Sequence, residues 1–397
     1  MKYYQSTNVI GNKVGVVVKS WCDHPEEGAV AQALNLSKLP FIYKQVMLMP
    51  DCHCGYGMPI GGVMGTQGVV IPNAVGLDIG CGICAVKTSL TEISLEQLKK
   101  IMGLIREIVP VGFSHQKVIQ APELMPYVAR DLYIVESEWL SARKQLGTLG
   151  GGNHFIEIQK GSDGYIWAMV HSGSRNLGKK VADHYNRLAV ECNEKWFSSV
   201  PKEWQLAFLP LDDDLAQEYL DEMKFCVEFA FANRNLIIYQ IMNCFTDVIP
   251  DVLFTSIDGN TVLNIAHNYA RMENHFGKNV MVHRKGATSA KAGERGIIAG
   301  SQGTKSYIVE GLGNPESFMT CSHGAGRAMG RKDAQRRLIL ADEQKLLDDQ
   351  GILHAIRGAQ DLDEASGAYK DISIVMEEQK DLVKPIVELT PLGVIKG

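Results

Sequence analysis

Apolar positions along the chain change their spacing several times, and each change marks an element. Between residues 44 and 90 the run GYGMPIGGVMGTQGVVIPNAVGLDIGCGICAVKT mixes glycines with short β-branched stretches such as Gly68 to Ile71. That texture predicts short strands joined by tight turns, with the backbone coming close to another group. The period then lengthens. SLEQLKKIMGLIREIV predicts a helix capped by Ser94, with Glu96 in its first turn. Further amphipathic helices are predicted at Leu177 to Trp196 and Leu215 to Phe245, the second placing Leu220, Met223, Val227, Phe231 and Ile238 on one side. From Val252 to Gly311 short strands and glycine turns return. The last segment predicts one helix near Ala341 to Asp349 and ends in the extended run VKPIVELTPLGVIKG. No repeat, low-complexity tract or Pro/Ser-rich linker interrupts the pattern. The expectation is an α+β fold, a single compact domain over 1–397, with a sheet core, surrounding helices and chemistry on the loops between strands.

Composition narrows this reading. With 45% hydrophobic and 21% charged residues the chain can bury a sizeable core. MKYYQSTNVIGNK lacks the basic start and apolar run of a secretory leader, and no stretch has the roughly 18 apolar residues that cross a bilayer, so a cytoplasmic protein is expected. Nine cysteines, irregularly spaced, suit core thiols or metal ligands rather than a disulfide scaffold. The net charge of −5 argues against nucleic-acid binding through overall charge. Local charge differs: Arg284, Lys285, Lys291 and Arg295, then Arg327, Arg331, Lys332, Arg336 and Arg337, flank the glycine-rich stretch from Gly311 to Gly326. These form either a phosphodiester-binding patch or, after Gly330, the solvated face of a helix.

The candidate chemistry lies at strand ends. Asp78 and Cys81, three apart in VGLDIGCGIC, can converge on one ion, and a hard carboxylate with a soft thiolate suits manganese or zinc. Alone, D-x-x-C is a weak signal. His154 follows the glycine run of LGTLGGGNHFIEI, with Asn153 before it and Glu157 near the same loop; His171 follows IWAMV, and His267 follows LNIA. Three histidines at the ends of apolar strands exceed what core packing predicts. His323 lies in CSHGAGR, where the backbone N–H groups around Gly324 and Gly326, with the Arg327 fork, suit a phosphate. AGSQGTKS, holding Ser301, Lys305 and Ser306, is a second loop of nucleotide-binding texture, although it does not match the P-loop. A rival arrangement pairs Cys52 and Cys54 with Cys81 and Cys84 in a structural zinc site.

Taken in order, MPDCHCGYGMPIGG, DIGCG, GTLGGGNHFIE, VHSGSRNLG, IAHNYA, HRKGAT, AGSQGTKSY and SHGAGR resemble the RtcB-type RNA ligases, from about Met49 to Lys396. The resemblance implies an enzyme that uses GTP and two manganese ions to join RNA 2′,3′-cyclic phosphate or 3′-phosphate ends to 5′-hydroxyl ends. It makes Cys81 a thiolate shared by both ions, with Asp78 and His154 completing one ligand set and His171 and His267 the other. His323 becomes the nucleophile that accepts GMP. Asn153, Glu157, Asn268, Ser301, Gln302, Ser306, Gly324, Ala325, Gly326, Tyr369 and Lys396 would hold the guanosine and its phosphates, and Arg175 and Arg327 the RNA. An archease-like activator is the implied protein partner. Two departures stand out: Cys52 and Cys54 occupy positions of the family's D-x-H-x-G motif that are not usually cysteine, and the chain is short for the family. Beside the ligase stand two other readings of the same residues, a metal-dependent phosphoesterase and a zinc-bound RNA-interaction module.

Overall fold

The structure is a computed structural model that describes residues 1–5, 9–10, 13–128, 131–255 and 262–397. Two sheets carry it, in the mixed α and β architecture that the pattern predicts. The first orders Lys2–Tyr4, Val17–Ser20, Ile42–His53, Ile60–Thr66, Lys278–Lys285 and Asn268–His275. Only Val17–Ser20 and Ile42–His53 pair in parallel, and the helix Glu27–Ser37 makes the crossover that parallel strands need.

The second sheet positions the chemistry. Its path runs through Phe254–Thr255, Gly82–Thr88, Ile166–Ser172, Phe155–Gly161, Val383–Lys396, Ser306–Gly311 and Arg295–Ile298, and Val262–Ala266 also pairs with Gly82–Thr88. Antiparallel register brings Gly82 opposite both Ser172 and Ala266, and Phe155 opposite both His171 and Lys396. One end of the sheet therefore collects the start of two strands and the end of three others. Cys81, His154, His171 and His267 all sit there.

Side chains alternate between two cores, as strands buried on both faces must. Cys84, Val86, Ile156, Ile158, Ala168 and Val170 face the helices Leu95–Ile108 and Asp214–Val248. Ile83, Ala85, Trp167 and Met169 face the opposite way, toward Ile297, Ile308 and Leu389. Leu95–Ile108 begins at Ser94 with the expected cap, reinforced by Gln97 in a reciprocal capping box. The helices predicted at Leu177 and Leu215 are Arg175–Lys195 and Asp214–Val248.

Some expectations need correction. On the long helix Met223 and Ile238 are buried, but Leu220, Val227 and Phe231 are only half-buried, because the inward stripe also contains Glu222, Asn233 and Arg234 and is rotated toward them. The last segment holds three helices: Leu340–Asp348 close to its expected place, Arg331–Arg337 as in the helical reading of the basic cluster after Gly330, and Ile372–Glu378, which was not expected. Two of them are only seven residues long, about two turns, too few to establish an amphipathic period. Glu27–Ser37 and Tyr133–Gln145 were likewise not expected, since each buries a narrow stripe of mostly small or mixed residues. Part of the stretch predicted as strands and turns, 256–261, lies outside the described residues. Among the described residues no helix is long and apolar enough to cross a membrane.

Candidate active site

Cys81 is the centre of the convergence. Its Sγ lies 3.4 Å from His154 Nε2 and 3.3 Å from His171 Nε2. Ligand atoms of Asp78, Cys81 and His154 fall within 4.8 Å of one another, and those of Cys81, His171 and His267 form a second such group. The predicted five residues thus make two three-membered sets sharing one sulfur. His154 Nε2 is 3.1 Å from Asp78 Oδ2, and its Nδ1–H donates to the Leu149 carbonyl at 2.9 Å. That second contact fixes the tautomer and leaves the Nε2 lone pair pointing into the cluster.

The electrostatics suit a cation. Burial first, and neighbouring histidines next, hold His171 and His267 far below the ordinary imidazole value, so both are neutral and able to donate a lone pair. Burial raises the Asp78 carboxyl, but the hydrogen bond and charge of His154 outweigh it and keep it ionised. Burial, then the Asp78 carboxylate, push the Cys81 thiol well above its ordinary value, a sign that a divalent ion would reverse. His267 Nδ1 is buried without a hydrogen-bond partner. A buried orphan nitrogen beside a thiol, a carboxylate and two further imidazoles fits a metal of borderline softness.

Supporting groups lock the ligands in place. Arg234, fully buried on the long helix, donates to the Gly80 carbonyl at 2.8 Å, the Ser172 carbonyl at 2.9 Å and Asn264 Oδ1 at 2.7 Å. Its charge faces Asp78 and Cys81. Asn268 donates to the Asp78 carbonyl at 3.0 Å and accepts the Gly286 N–H at 2.7 Å. It thus braces the Asp78 loop and lies off the cavity lining, where a nucleotide contact had been expected.

His323 stands next to the cluster, its ring centroid 4.6 Å from that of His267. Asp51, wholly buried, lies 2.7 Å from His323 Nδ1, and its Oδ2 also accepts the backbone N–H groups of His323 and Gly324. Burial would raise the Asp51 carboxyl, but the charge and hydrogen bond of His323 hold it below the usual range. The sequence reading passed over Asp51 as a site residue; its signal was the D-x-H spacing of PDCHCG. This geometry narrows the phosphate nest expected at CSHGAGR. The amide of Gly324 is spoken for by Asp51, and that of Ala325 by the Ala299 carbonyl at 2.9 Å. Gly326, at φ +72°, is required because a Cβ there would collide with the Asp51 carbonyl.

A cavity of about 730 Å³ opens onto His171 and His323. Asn153, Glu157, Ser301, Gln302, Gly324, Ala325, Gly326, Tyr369 and Lys396 line it, as does Arg327. Ser306 does not reach the lining: its hydroxyl accepts the Gly300 N–H and the Gln159 side chain, bracing the loop behind Ser301. Burial pushes the Glu157 carboxyl up to about 8, against Lys396 and Gln159. Glu364, missed in the sequence, is the hub of the far wall: Tyr369 donates its hydroxyl to it, Arg331 approaches within 3.0 Å, Arg327 within 3.2 Å and Lys396 within 3.8 Å.

The basic residues divide differently from the sequence reading. Arg284 is fully buried against Glu273, Lys285 is buried with its Nζ donating to the Tyr56 and Asn73 carbonyls, and Arg295 is half-buried and pairs with Glu310; Lys291 alone of the first cluster is exposed, so the four do not form one surface patch. Arg331, Lys332 and Arg336 are exposed at the cavity mouth, on the helix expected after Gly330. Arg327 turns inward, donating to the Asp363 and Met329 carbonyls. Arg175 sits against the metal-binding loop, Nη1 3.4 Å from His154 Nδ1 and Nε donating to Thr148 at 3.3 Å.

The rival zinc site is not formed. Cys84 points into the helix-covered core and Cys52 into another cluster, while Cys54 is exposed. Among the described residues, neither metal-competent group contains any of the three.

Comparisons with known proteins agree with this arrangement. The family model described as tRNA-splicing ligase RtcB matches residues 32–139 and 129–397. The RNA-splicing ligase RtcB of Escherichia coli strain K12 is 37% identical over 390 residues, covering 94% of this chain and 95% of that protein. The tRNA-splicing ligases RtcB of Pyrobaculum aerophilum and Thermococcus kodakarensis are 31% and 32% identical, covering 92% and 94% of this chain and 90% and 92% of their own lengths. Their alignments extend over 442 and 445 positions, so the chain is short beside these archaeal relatives but not beside the bacterial one. Motif order, strand-end convergence and end-to-end similarity lead to one conclusion: the chain belongs to the RtcB family of tRNA-splicing ligases.

Proposed function

We propose that residues 1–397 act as one ligase domain that joins RNA 2′,3′-cyclic phosphate or 3′-phosphate ends to 5′-hydroxyl ends, consuming GTP and requiring manganese. The observation that carries this reading is the placement of His323, braced by Asp51 at the cavity wall and adjacent to His267. Asp78, Cys81 and His154 would hold one manganese ion, and Cys81, His171 and His267 the other. When bound, such ions supply charge neutralisation at phosphoryl oxygens.

The remaining chemistry belongs to the chain. Asp51 Oδ2, 2.7 Å from His323 Nδ1, would hold the proton on that nitrogen and leave the Nε2 lone pair as the nucleophile. Attack on the α-phosphorus of GTP forms an N–P bond and breaks the bond to pyrophosphate. Where the end is cyclic, water first adds to phosphorus and the P–O2′ bond breaks, leaving a 2′-hydroxyl and a 3′-phosphate; the RNA 3′-phosphate then displaces His323, giving an RNA(3′)pp(5′)G end. Finally the 5′-hydroxyl attacks the 3′-phosphorus, GMP leaves, and the strand is sealed. Activation is needed because a bare 3′-phosphate offers no good leaving group.

Within the cavity, Asn153, Glu157, Ser301, Gln302, the Gly324–Gly326 turn, Tyr369 and Lys396 would hold the guanosine and its phosphates, with Asn268 and Ser306 acting behind them. Arg175 would contact the RNA phosphate, and Arg327 would order the Glu364 wall. The nine free cysteines support a reducing compartment such as the cytoplasm. An archease-like activator belongs to the same reading as a protein partner.

The test is incubation of a 3′-phosphate RNA and a 5′-hydroxyl RNA with the protein, GTP and manganese. Joined RNA with release of GMP is expected. Hydrolysis of a cyclic phosphate with neither GTP use nor joining would instead identify a metal-dependent phosphoesterase.

A further inference from the structure

Cys52, one of the two cysteines that depart from the family motif, does not stand alone. Cys22, which follows the neighbouring parallel strand Val17–Ser20, packs beside it, and one ammonium reaches both residues. Both lie in the same buried cluster. Above them sits Lys370, whose Nζ is 3.6 Å from Cys22 Sγ and donates to the Pro50 carbonyl at 3.0 Å and the Cys52 carbonyl at 2.7 Å. The ammonium is therefore pinned over the thiol pair by the two carbonyls that bracket Asp51. We propose that Cys22 and Cys52 form a reversible disulfide, with Lys370 priming Cys22 and a hydroperoxide as oxidant, and that this bond regulates the site through Asp51.

The environment selects this pair. The hydrogen bond from Cys52 holds the Cys22 thiol down at about 7, against burial and Glu378 and with help from Lys370, while Cys52 is driven upward as the proton donor. Elsewhere burial does the opposite: Cys84 is pushed up to about 12 and the exposed Cys54 to about 11. The most exposed thiol is thus not the most nucleophilic one. In the reaction, the Cys22 thiolate attacks the O–O bond, forming a sulfenic acid and releasing hydroxide. Cys52 sulfur then attacks the Cys22 sulfur; the S–S bond forms, the S–O bond breaks, and the Cys52 proton leaves with the hydroxide as water. Two thiols lose two electrons and one hydrogen peroxide becomes two waters.

An S–S bond is about 2.05 Å, well inside the contact distance of two unbonded sulfurs, so closure draws the end of strand Ile42–His53 toward Cys22. Asp51 is the residue next to the moving sulfur, and its Oδ2 orients His323. Displacements on this scale cost large factors in rate. This consequence rests on the proposed ligase reading; the disulfide itself does not.

The experiment is a hydrogen peroxide titration of the full-length protein at pH 7, followed by alkylation, trypsin and mass spectrometry. The expected product joins peptide 20–38 to peptide 45–87 and is reversed by dithiothreitol. Because Cys52, Cys54, Cys81 and Cys84 share that second peptide, fragmentation must place the link on Cys52, and the link must also form in Cys54→Ser. Cys22→Ser abolishes it, and Lys370→Met slows it several-fold with an unchanged circular dichroism spectrum. GMP labelling falls with the disulfide fraction and returns on reduction, whereas Cys22→Ser keeps labelling after the same dose. Cys22 and Cys52 remaining alkylatable once Cys54 and Cys192 are oxidised would overturn the proposal. A disulfide that forms without changing labelling would overturn the regulatory part alone, and reduced protein that never labels would count against the ligase reading instead.

Discussion

At the scale of single residues, the account turns on Asp51 and His323. Asp51→Asn keeps an oxygen for the backbone N–H groups of His323 and Gly324 but replaces the anion that fixes the imidazole tautomer. GMP labelling should slow by roughly 10²- to 10⁴-fold, the scale seen when a histidine loses its orienting carboxylate. Labelling at the parental rate would show that the carboxylate has no part in the reaction. His283 gives a separate prediction, on stability. Its Nδ1–H donates to the Met281 carbonyl and its Nε2 accepts the Ile71 N–H, so no site is left for a second proton. Burial pushes it down to about 4, from an ordinary 6.5. Between those values the unfolded chain binds the proton first, so stability present above about pH 6.5 is lost as pH falls toward 4, by at most about 3 kcal/mol. Urea midpoints at pH 7 and pH 4.5 should converge more in His283→Gln than in the parent protein. An equal drop in both would rule His283 out as the source. The metal-competent residues were legible from sequence because each histidine follows an apolar run. Asp51 was not, because its partner lies 272 residues away; Arg234 sits on a helix whose stripe reads as apolar; and Glu364 ends the short turn Ala359–Glu364, which carries no periodic signal.

At the scale of elements, antiparallel pairing does most of the positioning. Strand ends separated by nearly 200 residues become neighbours because Gly82–Thr88 lies between Ile166–Ser172 and Val262–Ala266. The long helix then clamps two of those ends through Arg234. Removing that guanidinium in Arg234→Met leaves the Gly80 and Ser172 carbonyls and Asn264 without their donor. A loss of about 3 kcal/mol or more in unfolding free energy is expected, together with roughly 10- to 100-fold weaker manganese binding, as for other groups that orient ligands. Calorimetric titration and denaturant unfolding measure the two effects. Stability falling with metal affinity intact would assign Arg234 to packing alone. Helices of several turns, such as Leu95–Ile108, could be read directly from the sequence; the seven-residue helix after Asp371 could not, since two turns do not establish a period.

At the scale of the whole molecule, a chain of net charge −5 gathers Arg331, Lys332 and Arg336 at the mouth of its cavity and turns Arg327 inward. Overall charge therefore said little about the partner, whereas local placement around the cavity is compatible with a phosphodiester. The sequence also could not tell which basic residues would be buried: Arg284 and Lys285 looked like surface charge but lie in the first sheet, paired or hydrogen-bonded inside it. What joins the scales is a metal-competent cluster beside an oriented imidazole at the wall of a nucleotide-sized cavity. The most direct measurement is intact-mass and peptide mass spectrometry after incubation with GTP and manganese. The account predicts one GMP per chain, carried on His323 and lost in His323→Ala. A GMP adduct on any other residue, or labelling that persists in His323→Ala, would contradict it.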